Sequence, residues 1–120
     1  MPSTFKALVI AQDGTTTVQT ASNDDLDSFQ ALVGGGYVEA FRLNDDGVYA
    51  LFDEEGRFKP EFTVNVKATV LCARLGVTFP DGLVGPVAFV GTDKFDYEQL
   101  GDVPDEVVDW AENWEPAATP

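Results

Sequence analysis

The chain is 120 residues long, with 44% hydrophobic and 12% aromatic residues, enough for one hydrophobic core and too aromatic for a disordered chain. Twenty-one acids against seven bases give a net charge of −14, a surface that repels nucleic acid and anionic membranes and attracts basic proteins or imitates a polyanion. With no histidine and a single cysteine, the sequence excludes Ser-His-Asp and Cys-His catalysis, almost all zinc catalysis and an intramolecular disulfide.

Residues 5–11 (FKALVIA) read as a buried strand, from the apolar run and its β-branched content. Asp13-Gly14 makes a hairpin turn into a second strand over 15–20. Ser22 with Asp25 resembles a capping box that opens a helix, with Leu26, Phe29 and Val33 on one face and Leu32 beside them. Gly34-Gly35-Gly36 ends that helix, and at least one of these glycines is expected to hold a positive φ. Residues 37–43 alternate as a strand, with Tyr37, Glu39, Phe41 and Leu43 on one face and Val38, Ala40 and Arg42 on the other. A turn over 44–47 leads to a partner strand over 48–52, and Asp53-Glu54-Glu55-Gly56 forms another turn. Residues 57–62 are short and irregular, broken by Pro60.

Asn65 is the N-cap expected for a helix over 66–75, with Gly76 at C′ and Lys67 and Arg74 as a polar pair at i, i+7. Cys72 lies in its apolar part and reads as a buried small hydrophobe, in keeping with a reducing cytoplasm. Residues 83–90 read as a strand, which Pro86 assigns to an edge or a bulge. Asp102 and Pro104 open a last helix with Val107, Trp110, Ala111 and Trp114 as its apolar stripe. The expected architecture is one α+β domain over 3–115, a mainly antiparallel sheet of about five strands with two or three helices, and a frayed tail over 116–120. No apolar run approaches the roughly 20 residues of a membrane span, and residues 1–11 lack the features of a signal peptide.

Three groups of residues invite a functional reading. The glycine run 34–36 follows a helix, whereas phosphate cradles precede one, so a helix cap is the first reading and a ligand on its amides the second. Four of the seven bases, Arg57, Lys59, Lys67 and Arg74, lie within 57–80 beside one acid, a segment of net +3 in a remainder of −17. They either pair with the acidic surface or line a pocket for a small anion such as a nucleotide; Arg42 is either an ion-pair partner or ligand-facing. On the last helix Asp105, Glu106, Asp109 and Glu112 face away from the Trp stripe, about 5–6 Å apart, near the spacing of nucleic-acid phosphates. That is either a solvated face or a DNA-like one, and an exposed Trp110 or Trp114 would mark a protein interface. The acid clusters 24–27, 45–46 and 53–55 lack the pattern of a calcium loop and are read as turns and caps, so no metal or cofactor is expected.

Several segments, in this order and spacing, resemble the small family called domain of unknown function 3846: FKALVI (5–10), LVGGGYVEAFRL (32–43), LFDEEGRFK (51–59), NVKAT (65–69) and LVGPVAFVG (83–91). The family's usual Gly-Gly-Tyr is here extended by a third glycine. The resemblance implies a phage or mobile-element setting and no activity. The expectation is therefore a non-enzymatic accessory protein of the cytoplasm, binding a host protein with a basic surface in host takeover or anti-defence. It binds neither nucleic acid directly nor membrane, and a homodimer stays open. The alternative is a protein that sequesters an anionic nucleotide.

Overall fold

The computed structural model describes residues 4–35, 37–44, 46–92 and 99–114. Gly36, Asp45 and the expected tail at 116–120 lie outside these. The elements in chain order are β1 (Thr4–Ile10), β2 (Thr16–Ser22), α1 (Leu26–Leu32), β3 (Val38–Arg42), β4 (Tyr49–Asp53), a 3-10 turn (Gly56–Phe58), α2 (Val66–Arg74), β5 (Val87–Thr92), β6 (Leu100–Gly101) and α3 (Asp105–Asn113). The sheet runs β2-β1-β5-β4-β3, antiparallel throughout, with β6 paired to the far end of β5. The α+β class and the antiparallel sheet agree with the sequence reading.

The sheet is covered on both faces, which is why β1 and β5 are continuous apolar runs rather than alternating ones. Leu8, Ile10, Val87 and Phe89 point to one face, where α2 and α3 supply Ala68, Leu71, Cys72, Val107 and Ala111. Phe5, Ala7, Val9, Ala88 and Val90 point to the other, where α1 supplies Leu32 and Val33. Cys72 is fully buried as expected, and burial pushes its thiol pKa up to about 12.

Two expectations need correction. The strand containing Pro86 is neither at an edge nor bulged: β5 begins one residue later and lies at the centre of the sheet. Gly85, at φ +77°, turns the chain beneath the Phe62 ring, and Pro86 then stands before the first ladder position, where its missing N–H costs nothing. The start of α1 is also displaced. Ser22 still pairs with Thr4 in β2, and its N–H binds Ser28 Oγ at 3.0 Å, so it is not a cap. The cap is Asp25, whose carboxylate accepts from the Asp27 N–H at 3.0 Å. Leu26, expected on the apolar face, is 65% exposed.

The glycine junction behaves as a helix cap. Gly34 (φ +81°) and Gly35 (φ +90°) follow Val33, and the Gly35 N–H reaches the Gln30 carbonyl at 2.7 Å, the long bond of a Schellman motif. A Cβ on Gly34 would also lie 3.2 Å from the Phe62 ring. Gly34→Val is therefore expected to cost about 1–3 kcal/mol, read as a lower midpoint in urea unfolding.

Candidate functional site

On α2, Asn65 caps the N-terminus through its side chain and Gly76 (φ +118°) forms the C′ turn, as the sequence predicts. This nine-residue helix sets Lys67 and Arg74 two turns apart on the side facing α3. The α3 stripe lies opposite them. Val107 and Ala111 are buried in the core, while Trp110 and Trp114 are half-buried at its rim.

The two indoles stack with centroids 5.7 Å apart at 28°. The Arg74 guanidinium lies 5.9 Å from the Trp110 ring, and Lys67 Nζ lies 5.8 Å from Trp114. Residues that the sequence divided between a protein interface and an anion site thus form one column, cation–indole–indole–cation, along the α2–α3 seam. Each such contact is worth about 0.5–1 kcal/mol where exposed and more where desolvated.

The five bases and the described glycines of the expected anion site do not converge. Lys67 is 9% exposed, donates to the Gly14 carbonyl at 3.4 Å, and shares a cavity of about 440 Å³ with Gln12, Asp13, Val66 and Trp114. Arg74 borders a separate cavity of about 310 Å³ with Glu106 and Trp110. Arg57 reaches Asp81 at 3.6 Å on the surface and borders a third, of about 260 Å³, beside Phe41, Phe52 and Phe79. Lys59 is committed to Asp53 and lies 5.1 Å from the Phe62 ring, which also touches the Gly34 position. Arg42 is exposed at the end of β3, its Nε donating to the Asn44 carbonyl at 3.0 Å. Gly35 belongs to the helix cap; Gly36 lies outside the described residues.

The acids of α3 stand where the sequence puts them. Asp105, Glu106, Asp109 and Glu112 are all exposed, opposite buried Val107 and Ala111. Among the described residues none of the four is in an ion pair. Asp105 and Glu106 in the first turn suit the helix dipole. Asp109 sits one turn beyond Asp105, and Glu112 lies at the negative end, both destabilising placements. Asp102, expected to open this helix, instead accepts from the Lys6 N–H at 2.8 Å and ties the α3 approach to β1; Pro104 occupies the cap position.

Two buried polar groups escaped the sequence reading. Asp53 reads as a turn acid in the sequence, yet it ends β4, is 4% exposed and is paired with Lys59. Burial pushes its carboxyl up, but Lys59 and the backbone N–H of Glu55 and Tyr37 pull harder and hold it below the usual carboxylate value. Strand alternation could have found it, since Asp53 falls on the same face as buried Leu51. Asn65 does more than cap: its side chain also donates to the Ile10 carbonyl at 2.8 Å and to the Gly85 carbonyl at 2.9 Å. Among the described residues no cluster of three or more His, Cys, Asp or Glu side chains is arranged to hold a metal ion. No described helix is long and apolar enough to cross a membrane.

Residues 5–114 match the family model described as Domain of unknown function (DUF3846). The chain belongs to this family. The match extends past the segments that carry the resemblance and takes in all of α3, so the acid face and the indole pair lie within the shared unit. No curated protein and no solved structure matches the chain.

Proposed function

We propose that the chain is a non-enzymatic binding protein that engages a basic surface of a partner protein through the acid face of α3. The supporting observation is the four exposed, unpaired carboxylates of α3, held on a helix whose opposite side is locked into the core. Such a face steers association with a positive patch, and Asp109 and Glu112 carry it at positions that weaken their own helix. In the phage or mobile-element setting that the family resemblance implies, the partner is a cytoplasmic host protein.

The test uses the chain as bait in a lysate of the bacterial host, beside an Asp105→Lys, Asp109→Lys variant. The reversal exchanges one like-charge i, i+4 pair for another and sets a cation against the positive end of the helix dipole, while a cation at position 109 gains Glu106 and Glu112 at i ± 3, so the melting temperature is expected to stay level or fall slightly. The partner held by the native bait is expected to be lost from the variant. Equal capture by both would sink the proposal.

A second reading, sequestration of an anionic nucleotide, is favoured by one observation: Lys67 and Trp114 line the same cavity, offering a charge and a stacking surface. It predicts that an added nucleotide raises the melting temperature by several degrees, and that Lys67→Ala abolishes the rise.

A further inference from the structure

The outer edge of β2 is an exposed, uncharged stretch in a strongly acidic chain. Residues 14–23 (GTTTVQTASN) carry no charge, against a net −14 overall. Among the described residues β2 pairs only with β1, and positions 17–20 are exposed. The bond from the Ala11 N–H to the Thr15 carbonyl (2.8 Å) sets the phase of the hairpin ladder. Bonded positions alternate in an antiparallel pair, so Thr17, Gln19 and Ala21 turn their backbone groups to β1. Thr16, Val18, Thr20 and Ser22 turn theirs outward. Ser22 is already closed off, its N–H bound by Ser28 Oγ at 3.0 Å. Thr16, Val18 and Thr20 are left as an open row.

Edge strands are usually blunted by a charge, a proline, a bulge or a covering segment. At the opposite edge β3 carries Glu39 and Arg42. The described part of β2 carries none of these devices.

We propose that β2 pairs antiparallel with β2 of a second copy of this chain, about a two-fold axis at Val18. In that register Val18 faces the other copy's Val18, and Thr16 faces its Thr20. All three are outward positions, and each opposed pair exchanges two backbone hydrogen bonds. The edge is thus complementary to itself. Val18, 48% exposed, meets its copy across the axis on the sheet face. The occupant is a second copy because one register satisfies both strands at once, and because this uncharged run is where two acidic chains approach with least repulsion. A single strand edge falls short of the roughly 1,200 Å² of a standard interface, so the dimer is weak and concentration-dependent.

Sedimentation velocity over a range of protein and salt concentrations tests this. Salt screens the repulsion between the copies, so the dimer is expected to tighten severalfold from low to high salt. Salt would weaken the α3 contact with a basic partner, so the two proposals fail separately. Val18→Pro removes an outward N–H without touching the β1 ladder, and is expected to weaken dimerisation at least tenfold with the circular dichroism unchanged. Ala40→Pro is the control, at an outward position of β3, and is expected to leave the dimer intact. Val18→Cys is expected to form an intermolecular disulfide on mild oxidation, while the buried Cys72 stays out of reach. Should Val18→Pro not fold, Val18→Cys decides. A chain monomeric up to millimolar concentration, a dimer that salt dissociates, or one broken by Ala40→Pro would each overturn the proposal, as would failure of Val18→Cys to cross-link.

Discussion

The Asn65→Ala variant is expected to lose about 3–5 kcal/mol of stability, the largest effect of any single polar substitution in the chain. Asn65 is 0% exposed, and its amide binds the Ile10 carbonyl, the Gly85 carbonyl and the Ala68 N–H. Removing it strands three buried backbone groups at about 1–3 kcal/mol each before relaxation, and opens a cavity. The three partners belong to the end of β1, the turn before β5 and the first turn of α2, so the side chain sets how the helix enters against the sheet. Urea unfolding of the variant at neutral pH reads the loss.

Asn65→Asp sharpens that test through its pH dependence. A carboxylate oxygen would then face two carbonyls, so the folded state demands a proton and the folded pKa lies above the unfolded value of about 3.9. The penalty is absent below the unfolded pKa and grows as pH rises toward the folded one. A stability difference from the native chain that does not change with pH would show that the side chain is not held between those carbonyls.

Lys59→Met is expected to destabilise by about 2–4 kcal/mol, because Asp53 is left as a buried charge without its partner. The figure sits below that for a fully buried pair because the Lys59 side chain is 29% exposed, against 1% for Asp53. In the native chain the Asp53 pKa is depressed, so its contribution is present above the unfolded value of about 3.9 and is lost as pH falls through the folded value. Without Lys59, burial raises that pKa, and the variant regains stability relative to the native chain in acid. Thermal melts of both proteins between neutral pH and about pH 3 read the crossover. Asp53→Asn, Lys59→Met removes both charges and is expected to recover part of the loss.

Local signals carried most of the architecture. Asn65 and Gly76 bracket α2 because a side-chain acceptor at the N-cap and a left-handed glycine at C′ answer to neighbours within a few residues. The glycine junction was legible for the same reason. Misreadings arose where a distant partner decided the outcome. Ser22 looked like a cap, but its pairing with Thr4 across the hairpin holds it in the strand. Pro86 argued for an edge, but Gly85 completes the turn first and leaves the proline outside the ladder.

The candidate site divides in the same way. The acid face of α3 follows from helical periodicity alone, and the structure has it as the sequence reads it. The basic segment was grouped by proximity along the chain, yet its members lie on a 3-10 turn, a loop and two ends of α2, each with its own neighbour. The indole–cation column needed α2 and α3 side by side on one face of the sheet, which no local pattern encodes.

The most direct measurement of the central claim is the association rate between this chain and its captured partner as ionic strength is raised. If the α3 face steers binding, that rate falls steeply with salt, as exposed charges are screened within about 10 Å at 0.1 M. The Asp105→Lys, Asp109→Lys variant then starts slower and shows a flatter dependence. An association rate indifferent to salt and unchanged in the variant would contradict the account.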